Sequence, residues 1–170
     1  MAHGLSDLPS GITLRTVGPN DRDLLLRVYA STREEELRPV PWSDAEKETF
    51  LRSQFEAQDR WWHDNYEATS WDVIEVDGRP AGRLYVSRWP AEIRIVDIAL
   101  LPEFRGRGVG ETLLRRIIDE AAGSGRAVSI HVETSNPARR LYERLGFEEA
   151  SHAGVYALMV CDPKSMKGTG

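Results

Sequence analysis

The sequence predicts a layered α/β (α+β) domain on a mixed, largely antiparallel sheet of six or seven strands flanked by about four helices. Three observations carry that prediction. Apolar alternation and 3.6-residue periodicity give the order strand, two helices, three strands, helix, strand, helix, two strands. Turn signals separate these segments cleanly. A glycine-rich stretch, Arg105-Gly106-Arg107-Gly108-Val109-Gly110, joins a strand to a helix. At 170 residues one domain is the expectation, with a core over about 11–161 and loose polar ends at 1–10 and 163–170.

Ile12 to Val17 alternates as a strand, and Pro19-Asn20-Asp21 supplies a turn and a helix cap. The first helix places Leu24, Leu25, Val28 and Tyr29 on one face, and Glu34-Glu35-Glu36 follows it. Pro39 and Pro41 interrupt. Ser43 with Glu46 forms a capping box that opens a second helix, with Phe50, Leu51 and Phe55 inward, running into Trp61-Trp62-His63. Trp71 to Val76 and Ala81 to Arg88 form a hairpin across Asp77-Gly78. In the second of these strands Leu84 and Val86 share one face, Arg83 and Tyr85 the other. A fourth strand runs to Leu101 and stops at Pro102. A third helix spans roughly 108–122 and ends at Gly123-Ser124-Gly125. Ala127 to Glu133 is a strand. Ser135 or Asn136 caps a short helix with Pro137 in its first turn, and Ala138, Leu141, Tyr142 and Leu145 face inward. Phe147–His152 and Val155–Cys161 close the sheet.

Composition excludes several classes. A net charge of −5 argues against a general nucleic-acid binder. No segment reaches the ~18 apolar residues of a membrane span, and Met1 to Ser10 lacks the pattern of a signal peptide. The single cysteine, Cys161, ends an apolar run and reads as a buried strand residue. It allows no disulfide within the chain, which fits a reducing cytoplasm.

The strand, glycine turn and helix start together form an anion-binding element. Glycines let the backbone approach closely, and the unsatisfied N–H groups of a first helical turn favour negative charge. Arg105 and Arg107 add cations suited to phosphate oxygens. The Gly-x-Gly-x-Gly spacing differs from the Gly-x-Gly-x-x-Gly dinucleotide fingerprint, and no acidic ribose clamp follows.

A second motif, Asn136-Pro137-Ala138-Arg139-Arg140-Leu141-Tyr142-Glu143-Arg144-Leu145-Gly146-Phe147, points the same way. Together the two resemble the GCN5-related N-acetyltransferase (GNAT) superfamily, strongly so from about Glu92 to Phe147. The resemblance implies an acetyl-CoA-dependent transfer to a primary amine, without a metal. It implies that the sheet splays after the fourth strand. Pantetheine would then bond backbone groups near Ile98 and Leu100, and the diphosphate would sit on the amides of Arg105, Gly106, Arg107, Gly108, Val109 and Gly110. A backbone N–H of the fourth strand would face the acetyl carbonyl. Ser135 occupies the register where the family usually has Asn, so either Ser135 or Asn136 makes the cofactor contact.

Amine attack on a thioester needs a proton acceptor and an acid for the leaving thiolate. The resemblance makes Tyr142 that acid and a cofactor contact. Candidate bases are Asp97 and His131, then Glu92, Glu133 and Glu34–Glu36. Asp97 lies in an apolar strand, so it is either paired or functional. His131 titrates in the useful range. The glutamate run reads as a solvated helix end, or as a lip that attracts a cationic amine. Trp42, Trp61, Trp62, His63, Tyr66 and Trp71 read as core and helix packing, while the resemblance implies that Trp61, Trp62 or His63 line the acceptor pocket. The expected partner is an amine-bearing small molecule or peptide, with no nucleic acid and no membrane. Many members of the family are dimers, which adds a homodimer to the expectations. A non-catalytic acyl-CoA sensor is the alternative.

Overall fold

The computed structural model describes residues 11–166. Seven strands form one sheet: β1 (Ile12–Thr16), β2 (Thr69–Val76), β3 (Arg79–Arg88), β4 (Glu92–Leu100), β5 (Ala127–Glu133), β6 (Glu148–Ala153) and β7 (Tyr156–Cys161). Their spatial order is β1-β2-β3-β4-β5-β7-β6. Every neighbouring pair is antiparallel except β4 and β5. The helices are α1 (Arg22–Leu37), α2 (Asp44–Asn65), α3 (Val109–Ser124), α4 (Arg139–Arg144) and a short α5 (Pro163–Met166). The expected element order is what the fold shows, with α5 added within the tail that was read as loose. The other expected loose residues, 1–10 and 167–170, lie outside the described residues.

The β2–β3 hairpin turns at Asp77 and Gly78, both at positive φ (51° and 76°). That geometry matches the right-handed twist of paired strands, which is why Asp-Gly works there. Two apolar layers cover the sheet. Leu84, Val86, Ile93 and Ile95 pack with Leu113, Leu114 and Ile117 of α3, and with Tyr142, Leu145 and Phe147. On the opposite face Tyr85 packs with Leu25 and Tyr29 of α1 and Phe55 of α2.

Local readings need correction in five places. Phe50 is exposed and stacks edge-on with Trp42 instead of facing inward. Glu34, Glu35 and Glu36 belong to the last turns of α1 rather than following it. Asp21 does not cap α1 with its side chain; its carboxylate takes two bonds from Arg15 (both 2.8 Å) and one from the Gly18 amide (2.7 Å). Helix α3 runs through Gly123 and stops at Gly125, the residue in left-handed conformation (φ 69°). Helix α4 starts at Arg139, and the Asn136 side chain accepts from the Ala138 amide (2.9 Å) in the turn before it.

Two stability predictions follow. Bonding from Arg15, then Gly18, holds the Asp21 carboxyl down at about 2, against an ordinary 3.8. A depressed carboxyl stabilises the fold above its unfolded value, and that contribution is lost as pH falls through the folded one. Asp21→Asn should therefore cost about 1 kcal/mol at neutral pH, allowing for solvent around Arg15. The deficit should vanish as pH drops from 3.8 to about 2, and urea midpoints across that range check it. Gly123 is helical, and an added Cβ would meet nothing within 4 Å. Gly123→Ala should raise stability by roughly 0.5–1 kcal/mol in the same assay.

Candidate active site

Strands β4 and β5 pair over four positions only, from Glu92↔Ala127 to Ile95↔Ile130. At the end of that pairing β4 carries a bulge. Val86 pairs with Ile95 and Tyr85 with Asp97, which leaves Val96 unpaired. A bulge bends its strand and increases the local twist. Beyond it Asp97–Leu100 stay paired with β3 and His131–Glu133 with β7, while the two segments part from each other. A gap opens in the sheet, edged by Ile98 and Leu100 on one side.

The glycine turn lies at the end of the β4 edge. The Leu101 amide donates to Ala81 (2.8 Å), and Phe104 is buried beneath the turn. Gly106 and Gly108 sit at φ 74° and 79°, where a side chain would be strained. Gly108 is the N-cap of α3, and the first intrahelical bond is Thr112 N–H to Gly108 O (3.0 Å). The amides of Val109, Gly110 and Glu111 therefore lack helical acceptors. An added Cβ at Gly106, Gly108 or Gly110 would meet nothing within 4 Å, so open space faces these backbones.

The two loop arginines differ. Arg105 is exposed but bonded back to the protein: its Nε donates to the Leu100 carbonyl (2.9 Å) and its Nη2 to Ser31 of α1 (3.1 Å). It ties the turn to α1. Arg107 is exposed over the Phe104 ring at 5.6 Å.

Tyr142 is buried on α4, its ring 5.8 Å from that of Phe147. Burial, reinforced by the charge of Asp97, pushes its hydroxyl up to about 12. It keeps its proton at neutral pH and lies within the field of a β4 carboxylate. Asp97 is paired: its Oδ2 accepts from Nε of Arg83 at 2.7 Å. Arg83 is only 3% exposed, with its guanidinium 5.1 Å from the Trp62 ring and 5.4 Å from the Tyr85 ring. His131 follows the last paired residue of β5, on the same sheet face as Asp97. Desolvation, with Arg94 second, holds its imidazole below the ordinary 6.5.

The other carboxylates are elsewhere or engaged. Glu92 stands at the closed end of the β4–β5 pair, accepting from the Ser129 hydroxyl, which also takes a bond from Arg94 (2.7 Å). Glu133 ion-pairs with Arg33 of α1 (3.6 Å), which also holds Glu36 (3.1 Å). Glu34 and Glu35 are exposed. The Asn136 side-chain oxygen is used in its own turn, while Ser135 is exposed. Of the expected aromatic wall, Trp62 packs on Arg83, His63 stacks on Trp71 at 3.9 Å, and Trp61 is exposed. A concavity of about 320 Å³ borders Arg22, Asp59 and His63, where α1 begins and α2 ends.

Arg83 is the residue that sequence reading missed. Alternation placed it opposite Leu84 without showing that α2 covers that face. An arginine two residues from Tyr85, on the strand paired with that of Trp71, is the available signal.

A split parallel pair beside a glycine-capped helix start is the arrangement that the resemblance to acetyltransferases implies. Residues 29–147 match the acetyltransferase (GNAT) family, and the chain belongs to that family. It is 39% identical over 80 residues to a putative ribosomal protein bS18-alanine N-acetyltransferase of Bacillus subtilis, covering 45% of this chain and 52% of that protein. It is 31% identical over 120 residues to the ribosomal protein bS18-alanine N-acetyltransferase of Escherichia coli K12, covering 69% and 72%. The chain thus spans about half the length of the Bacillus relative. Among solved structures, the PaiA N-acetyltransferase of Thermoplasma acidophilum in complex with coenzyme A superposes with a TM-score of 0.66. The match has 16% identity and covers 89% of this chain and 98% of that one. That likeness concerns the fold.

Proposed function

We propose that the chain acts as a single acetyltransferase domain, transferring acetyl from acetyl-CoA to a primary amine. The observation that carries this reading is the gap between β4 and β5 opening beside the free amides of α3. The residues fit the cosubstrate. Three glycines with open space above them border N–H donors without acceptors, which suits a diphosphate. The Ile98 backbone and the Leu100 amide are available for an extended, amide-bearing chain, while the Leu100 carbonyl already accepts from Arg105. When bound, acetyl-CoA supplies the thioester acyl group.

The protein's own groups then divide the proton work. Tyr142 holds its proton at neutral pH and donates it to the departing thiolate as the carbon–sulfur bond breaks. His131, kept neutral by its surroundings, takes the proton released as the nitrogen–carbon bond forms. Asp97 is given no part in this proton transfer, because Arg83 engages its carboxylate. Arg107 is the loop cation left for a phosphate. Arg105 holds the turn.

The relatives named as alanine N-acetyltransferases make a peptide α-amine beginning with alanine the first acceptor to try. A cytoplasmic location belongs to the same proposal and is supported by the lone buried Cys161. Among the described residues no helix is long and apolar enough to cross a membrane.

The test is thiol release from acetyl-CoA with alanine-initiated peptides, free amino acids, polyamines and aminoglycosides. Turnover supports the reading and names the acceptor class. Silence with acetyl-CoA still raising the melting temperature points to a sensor instead. His131 gives a pH signature. Its neutral form is active, so kcat/KM should rise with pH through a midpoint below 6.5 and then level. His131→Gln should lower the plateau and remove that acid limb. An unchanged limb in the variant excludes His131 as the base.

A further inference from the structure

Asp97 and Arg83 form an ion pair, and such a pair is weak evidence of a role in stability. Desolvating two charges offsets most of their attraction, and an apolar pair of similar volume usually does as well. Yet Arg83 is 3% exposed, clamped between Trp62 and Tyr85, and its partner stands at the bulge where β4 leaves β5. The bond from Arg83 Nε occupies Oδ2 alone. Among the described residues no group donates to Oδ1, and the Asp97 side chain stays 27% exposed. Neighbouring carboxylates are engaged: Glu133 with Arg33, Glu92 with Ser129 and Arg94. Asp97 Oδ1 is a carboxylate oxygen open to a ligand at the start of the gap.

The geometry points to Arg83 as a positioning residue that orients Asp97, whose free oxygen anchors the ammonium form of the acceptor amine before it loses its proton. This assignment rests on the proposed acetyl transfer and deepens it. The acceptor class becomes a cationic amine, recognised by charge, while proton removal falls to another group. A guanidinium suits the task because it is planar, always charged and held by aromatic faces.

The test begins with the wild-type full-length chain. The Arg83 Nε–H resonance, assigned with R83K, is followed by NMR while n-propylammonium chloride is added. Sodium chloride and n-propanol serve as matched controls. A saturable shift with propylammonium alone is expected. An equal response to propanol, or none to either, overturns the anchor.

Kinetics supply the second arm, with thiol release from acetyl-CoA to n-propylamine and to hydroxylamine, which is neutral at neutral pH. D97N should raise KM for propylamine roughly tenfold, the scale of a charge-assisted hydrogen bond. It should leave hydroxylamine within about twofold. R83M should follow D97N, and R83K should recover much of the loss. Equal losses on both nucleophiles would mean a structural role and overturn the proposal. If the wild-type chain transfers acetyl to no amine, the catalytic reading fails, and the resonance titration still decides the anchor.

Discussion

Replacing Gly108 by valine should abolish acetyl-CoA binding. Two effects act together. At φ 79° a β-branched residue is strained by about 1–3 kcal/mol. Its side chain would also enter the open space that faces the α3 amides, where the diphosphate is proposed to sit. Losing close backbone approach removes several charge-assisted hydrogen bonds, each worth about 1.5–3 kcal/mol. Affinity should fall at least a hundredfold, about 2.8 kcal/mol. Calorimetry with CoA and the melting shift both read it. Gly110 separates the two effects, because its φ is not positive while its Cβ position is equally open. Gly110→Val should lose affinity with less loss of stability. Unchanged CoA affinity in both variants would remove the turn from the binding site.

The second large effect concerns Tyr142. Tyr142→Phe keeps the ring against Phe147 and removes only the hydroxyl. General acid catalysis contributes about 10²–10⁴-fold, so kcat should fall about a hundredfold while CoA affinity stays within about threefold. Burial and the Asp97 charge place the hydroxyl at about 12, so the wild-type profile should show no loss from phenol ionisation below strongly alkaline pH. A variant with normal kcat would take Tyr142 out of the chemistry and leave it a core aromatic.

The order of elements was legible because each boundary has a local cause. The Ser43–Glu46 box, the Asp77-Gly78 turn and the left-handed Gly125 each act within a few residues. Errors arose where the cause is distant. Phe50 lies off the stripe that Leu51 and Phe55 share at helical spacing, and it packs on Trp42 from ahead of the helix instead. Arg83 looks like an outward residue until Trp62 from α2 covers it. The gap itself is a matter of register between β4 and β5, which no local pattern encodes; the family resemblance supplied it. Asp97 was legible as a dilemma, paired or functional, but its partner lay 14 residues away on another strand.

The short parallel seam has a mechanical consequence. Between β1-β2-β3-β4 and β5-β7-β6 the sheet is stitched by four residue pairings, with α3 packed across the join. The sheet is two antiparallel rafts joined by a short parallel seam over a shared core. Each raft closes its own antiparallel ladder, so each should open and exchange its amides as a separate block. A ligand lying along the open seam would restore the missing stitches, and the two blocks should then protect as one.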